Sequence, residues 1–238
     1  MNPEQIEEIK RLRALNLSPK QIARKLGVRP AEVSEYLQKT AEETAIASAE
    51  KGELPPLERC LINENAAIRL LDTGKKGWFG QERKQKLEND GTEGMAQIFV
   101  IRKEKSRYLL CSFLVDYWCL GVKETIGPRK VDRLEIEFMI EQCSSGFEQK
   151  FREIGLEQAR GIVYSAVEYA AGLGLQPARD FEKVKDYLGQ REESDPKIEC
   201  GRDGKPCFIC GPYDNQMKIL GKLRESVGEG NFSYILPV

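Results

Sequence analysis

Ser18-Pro19-Lys20-Gln21-Ile22-Ala23-Arg24-Lys25-Leu26-Gly27-Val28-Arg29-Pro30-Ala31-Glu32-Val33 is the stretch from which the rest of the chain is best read. A serine N-cap satisfies one of the orphan N–H groups at a helix start, and a proline fits the first helical position, where its missing N–H costs nothing. Ser18-Pro19 therefore open a helix whose apolar residues are Ile22, Ala23 and Leu26. Gly27 ends it, because a sharp helix-to-helix turn asks for left-handed backbone that glycine adopts without strain. Pro30 opens the next helix, with Val33, Tyr36 and Leu37 recurring at core spacing. Upstream, Pro3 starts a helix to about Ala14, with Ile6, Ile9 and Leu12 on one face. Ala23 is small where the second and third helices would cross, and the spacing predicts a helix-turn-helix over residues 18–39.

This pattern resembles the helix-turn-helix of sigma-factor region 4 and of resolvase-type DNA-binding domains, over about the first 40 residues. The resemblance implies that the third helix enters a major groove while the second crosses the backbone. Arg29, Ser34, Glu35 and Gln38 would then face base edges, and Lys20, Arg24 and Lys25 would sit near phosphates. Charge agrees in part. Residues 1–40 hold eight Lys or Arg against five Glu, a balance of +3, so the remaining 198 residues must carry −4 of the net −1. Glu32 and Glu35 run against a polyanion, although a carboxylate can accept from a cytosine amino group. Double-stranded DNA is the expected partner, and a homodimer through the rest of the chain is expected if site recognition matters. A three-helix module used for protein contact is the alternative.

Composition narrows the chemistry. With 238 residues, 40% of them hydrophobic and 32% charged, there is room for a small module and a domain of ordinary size. The complete absence of histidine excludes a histidine general base, a Ser-His-Asp triad, a Cys-His dyad and any histidine-containing metal site. No apolar run reaches the roughly 18–20 residues a membrane span needs, and Met1-Asn2-Pro3-Glu4 lacks the basic-then-apolar order of a signal peptide. A cytoplasmic location is expected, with no membrane partner and with the seven cysteines as reduced thiols.

The expected fold class is α+β: an N-terminal trihelical module (1–40), a linker (41–57) that ends in Leu54-Pro55-Pro56-Leu57, and a mixed α+β domain (58–238) of hairpins packed by helices. The runs 96–102 and 108–115 read as a β-hairpin, and 198–210 as a second one turning at Asp203-Gly204. Helices are expected over 157–173, 180–188 and 214–227, with a final strand over 232–236. The Gly-, Lys- and Glu-rich residues 72–94 read as a solvated loop. Its Lys75, Lys76, Arg83, Lys84 and Lys86, interleaved with Trp78 and Phe79, could also contact phosphates and bases.

Two further stretches are unlike generic core: Leu114-Val115-Asp116-Tyr117-Trp118-Cys119-Leu120-Gly121-Val122-Lys123, and Gly201-Arg202-Asp203-Gly204-Lys205-Pro206 with Gly211-Pro212-Tyr213-Asp214. Together with 164–175 they resemble an uncharacterised family of bacterial proteins over roughly residues 58–236. That resemblance implies no reaction. It does imply an insertion between Asn65 and Gly94, and that a metal site on the cysteines is not a family feature. Asp116, Lys123, Asp203 and Lys205 are the residues here that an enzyme could use, because carboxylates and a lysine can hold a metal and stabilise a phosphate. The plainer reading makes Asp116 a cap after a strand and Asp203 and Lys205 turn residues. A metal-dependent nucleic-acid hydrolase would need an acidic-x-Lys element that Glu199-Cys200-Gly201 does not supply. Cys200, Cys207 and Cys210 have knuckle-like spacing for zinc but lack a fourth ligand, and residues 207 and 210 of a strand point to opposite faces. The leading expectation is a DNA-binding regulator without a cofactor; a hydrolase delivered to its substrate by the helices, or an interaction adaptor, are the alternatives.

Overall fold

The computed structural model describes residues 1–72 and 93–236. The basic loop at 75–86 lies outside the described residues. The architecture is α+β, built on a five-stranded antiparallel sheet of order β4-β3-β2-β1-β5. Its strands are β1 (Leu57–Asn63), β2 (Met95–Glu104), β3 (Arg107–Asp116), β4 (Gly121–Val131) and β5 (Phe151–Ile154).

The sheet is buried on both faces, which explains the nearly continuous apolar runs of β2 and β3. With side chains alternating across the strand, Ile98 and Val100 join one core while Phe99 and Ile101 join the other. Cys60, Ile62, Cys111, Phe113 and Val115 belong to the first, larger core. It is packed by α4 (Glu64–Leu71), α6 (Leu156–Gly172) and α7 (Phe181–Leu188). The second core is capped by α5 (Arg133–Phe147) through Ile136, with Leu61, Leu110 and Val131 on the strands. A third cluster lies at the end of α6, where α8 (Gln216–Val227) packs with β6 (Cys207–Ile209) and β7 (Ser233–Ile235) around Phe208, Leu220, Leu223 and Phe232.

The N-terminal elements are α1 (Pro3–Ala14), α2 (Pro19–Leu26) and α3 (Pro30–Glu50), and they enclose Ile9, Leu12, Ile22, Ala23 and Val33. Asn2 and Ser18 each form a reciprocal capping box, with Gln5 and Gln21. Gly27 takes the left-handed backbone (φ 64°) that ends α2.

Two sequence expectations need correction. Residues 41–50 are not a linker: α3 continues to Glu50, and its Ala45 and Ala49 are buried in the large core. Nothing breaks the helix before Gly52 and Pro55, and the alanines of this stretch are both good helix formers and small enough for close packing. Residues 198–210 do not form a hairpin of paired strands. The tight turn at Asp203-Gly204 is present, both residues with positive φ, but it closes only the single bridge Arg202–Lys205. β6 instead pairs in parallel with β7 at the far end of the sequence.

Candidate functional site

The first candidate surface is α2 with the start of α3. Lys20, Arg24, Lys25, Arg29, Ser34 and Glu35 are all exposed. The cations of α1 are largely spent within the helix: Lys10 pairs with Glu7 at 2.8 Å and Arg11 with Glu8 at 2.6 Å. The Arg11 hydrogen bond holds the Glu8 carboxyl below the usual carboxylate range, with a smaller pull from Lys25. Arg29 is occupied by Glu32 at 2.7 Å. Lys20, Arg24 and Lys25 form no ion pair with a carboxylate among the described residues, Lys25 acting on Glu8 only at longer range, so α2 presents three unpaired cations from eight residues.

Gln38 departs from its expected role. It is half-buried, and its amide nitrogen is sealed from solvent without a hydrogen-bond partner. Gln38, Glu42, Ala45 and Ala49 recur along one stripe of α3, whose last two members lie in the large core. Gln38 thus lies on the stripe of α3 that packs toward β4 and α7.

The second candidate is the junction after β3, where the fold gathers all three of the stretches singled out in the sequence. The Asp116 carboxylate accepts from the backbone N–H groups of Trp118 and Cys119, both at 2.9 Å, and so caps the turn into β4. The Gly201 N–H donates to the Tyr117 carbonyl at 2.8 Å and the Cys207 N–H to the Trp118 carbonyl at 3.2 Å. Lys123 bonds Asp214 at 2.8 Å. Gly121 seats against α6, where a Cβ would come within 3.0 Å of Ala170 and 3.1 Å of the Ala166 carbonyl. At Gly201 a Cβ would meet the Tyr169 hydroxyl at 2.7 Å. The peculiar composition of these stretches is therefore accounted for by close backbone approaches and by hydrogen bonds between segments far apart in sequence.

Trp118 is the centre of this junction and is almost completely buried. The guanidinium carbons of Arg69 and Arg202 each lie 5.1 Å from its ring centroid, within cation–π range. Neither arginine, nor Asp214 as the partner of Lys123, was given a role from the sequence. Asp214 stood within a quoted motif, whereas nothing in the spacing of Arg69 links it to Trp118.

Chemically the junction is closed. Burial pushes the Asp116 carboxyl up to about 6, against the opposing pull of Lys123 and the backbone N–H groups. Lys123 is engaged by Asp214, and Asp203 and Lys205 lie exposed in their turn. Of the four, Lys123 lies near enough to Asp116 to act on its carboxyl. Cys200 and Cys207 are buried and both belong to the large core, whereas the half-buried Cys210 packs against the α8 cluster. Burial pushes the Cys200 thiol up to about 12, which favours the protonated form over a metal-binding thiolate. Among the described residues no three Cys, Asp or Glu side chains converge on a position for a metal ion.

Comparison with protein-family models, with curated proteins and with solved structures found no match. Among the described residues no helix is long and apolar enough to cross a membrane.

Proposed function

We propose that the chain is a DNA-binding regulator in which α1, α2 and the first half of α3 act as a helix-turn-helix. The observation that carries this reading is the set of three unpaired cations on α2, Lys20, Arg24 and Lys25, in a part of the chain where most other cations are paired. Positive charge not paired with carboxylates on the helix next to the turn suits a phosphate backbone. Exposed Ser34 and Glu35, one turn into α3, are the residues that read base edges. Arg29 contributes through its exposed guanidinium once Glu32 yields it. Gln38, half-buried with its amide nitrogen sealed, is left out of this base-reading set.

The continuity of α3 alters the mechanism from a tethered head to a fixed one. Because Val33 and Ala45 are anchored in different cores along the same helix, the base-reading end of α3 takes its orientation from the sheet domain. In a homodimer, the spacing of two such ends would be set by the interface between the sheet domains, and half-site spacing would follow from it.

The test is selection of binding sites from randomised duplexes by the full-length protein. Replacing Ser34 and Glu35 by alanine is expected to change the preferred sequence. Replacing Lys20 and Arg24 by alanine is expected to weaken all sequences alike. Recovery of no enriched sequence by the wild-type chain would end the proposal of base reading.

A further inference from the structure

A pocket of about 370 Å³ opens between the start of β4, the segment that joins α6 to α7, and the first turns of α8. That volume lies within the range of small-molecule sites. Four of its lining residues are cations, Lys123, Arg179, Lys218 and Lys222, against the single carboxylate of Asp214. The lining thus carries +3, four minus one, in a chain whose net charge is −1.

The cations differ in their commitments. Lys123 is held by Asp214, both being largely withdrawn from solvent, and Lys222 reaches Glu225 at 3.3 Å. Arg179 and Lys218 have no carboxylate partner among the described residues. The floor between them is apolar and firm: Leu120, Val122 and Leu175 are buried members of the two neighbouring cores. The Ala178 N–H donates to the Val122 carbonyl at 2.8 Å and ties one wall to β4.

We propose that this pocket binds a small organic anion, with one carboxylate, sulfonate or phosphate group on an apolar body. Arg179 and Lys218 take the anionic group, and the Lys123–Asp214 pair fixes the adjoining wall. The apolar floor receives the body of the ligand, so a neutral molecule of the same shape gains the burial but not the charge. The site does not depend on DNA binding by α2 and α3, since none of its residues lies before Leu120.

The test uses the full-length protein and two fluorescent probes. One is 8-anilinonaphthalene-1-sulfonate; the other is N-phenyl-1-naphthylamine, which has the same aromatic body without the sulfonate. One saturable sulfonate site per chain is expected, with octanoate displacing the probe and octan-1-ol failing to do so at equal concentration. The double variant Arg179→Gln/Lys218→Gln, at two exposed positions, is expected to bind the sulfonate at least tenfold more weakly and the neutral probe as before, with an unchanged thermal midpoint. A second variant, Ile219→Trp, fills the pocket from its apolar side and should abolish sulfonate binding while both cations remain. The proposal is overturned if the wild-type chain shows no saturable site. It is equally overturned if the double variant retains wild-type affinity for the sulfonate, or if the wild-type chain binds the neutral probe as tightly as the anionic one.

Discussion

Val33 and Ala45 lie on one unbroken helix, yet Val33 is sealed among the N-terminal helices and Ala45 in the core beneath the sheet. They stand roughly 18 Å apart along the axis at the usual rise per residue. A helix anchored at both ends transmits orientation, so α1 and α2 are held by the same element that helps close the large core. Breaking α3 between the anchors should therefore weaken both. Glu43 is exposed, and proline there removes a helix hydrogen bond and clashes with the preceding turn, at a cost of about 3 kcal/mol. Glu43→Pro should lower the urea midpoint strongly, whereas Glu43→Ala should leave it within about 0.5 kcal/mol of wild type. Equal midpoints for the two variants would show that continuity of α3 is not needed.

Gly94 and Trp118 make a second, testable contact. A Cβ at Gly94 would lie 2.5 Å from the indole, and the backbone there has φ +82°, so both space and conformation demand glycine. Gly94→Ala should cost about 2–4 kcal/mol from strain and overpacking. If the indole is the obstacle, the added cost of Gly94→Ala should shrink in a Trp118→Leu background. A double-mutant cycle measures this directly, and strict additivity would place the cost in the backbone alone.

Asp116 should give the protein a distinctive pH response. Burial raises its folded-state carboxyl from 3.8 to about 6, so the folded state holds a proton between pH 4 and 6 that the unfolded state has released. Stability from this group is therefore greatest at low pH and falls as pH rises through that window, the reverse of an ordinary ion-paired carboxylate. The shift corresponds to a penalty on the order of 3 kcal/mol at neutral pH. Asp116→Asn keeps an acceptor for the Trp118 and Cys119 N–H groups but cannot ionise. The difference in unfolding free energy between wild type and Asp116→Asn should move in favour of the variant from pH 4 to pH 7. A pH-independent difference would mean that the carboxyl is not perturbed.

Arg160 and Asp195 pin the segment after α7 onto α6. The guanidinium donates to the carboxylate from Nε, 2.9 Å to Oδ2 and 3.1 Å to Oδ1, and from Nη2, 2.8 Å to Oδ1; Nη2 also meets Glu192 Oε1 at 2.9 Å, and the Asp195 side chain is fully buried. Burial alone would raise the Asp195 carboxyl, but the Arg160 hydrogen bond, aided by the Glu192 N–H, holds it below its ordinary value. Its contribution is present above the unfolded-state value and is lost as pH falls through the depressed one. Asp195→Ala should cost about 1–3 kcal/mol, since it removes the buried acceptor while Arg160 keeps its 2.9 Å contact with Glu192. Replacing both residues by apolar ones of similar volume should restore much of that loss, and thermal unfolding of the three variants would reveal whether it does.

The elements legible in the sequence were those whose signals are local. The cap at Ser18, prolines at helix starts and Gly27 at a helix end need only their neighbours, and the bounds of α1 and α2 follow from them, whereas the capping box of Asn2 with Gln5 went unread. The hairpin of β2 and β3 announced itself through β-branched and aromatic runs. β4, Gly121–Val131, did not, because Lys123, Glu124, Pro128, Arg129 and Lys130 interrupt its apolar pattern. The pairing of β6 with β7 was equally hidden: no local signal tells Cys207–Ile209 that its partner is Ser233–Ile235 and not the residues before Asp203. The extension of α3 was obscured by alanines at 45 and 49, which read as featureless until the sheet is there to receive them. In the junction, Asp116 was legible as a cap from its position after a strand, whereas its neighbours Arg69 and Arg202 meet at Trp118 only through the fold.

The central claim, that α2 meets the phosphates of duplex DNA, is tested most directly by fluorescence anisotropy of a labelled duplex at several salt concentrations. Point substitutions are preferable to truncation, because removing the first 47 residues would take Ala45 out of the large core. Full-length wild type is compared with Lys20→Glu/Arg24→Glu/Lys25→Glu. Three phosphate contacts predict a slope of log affinity against log salt of about −2.7, or roughly a 40-fold loss between 50 and 200 mM. The account predicts that slope for wild type and its near-disappearance, with most of the affinity, in the triple variant. Wild-type affinity and an unchanged slope in the triple variant, or no binding by either protein, would contradict it.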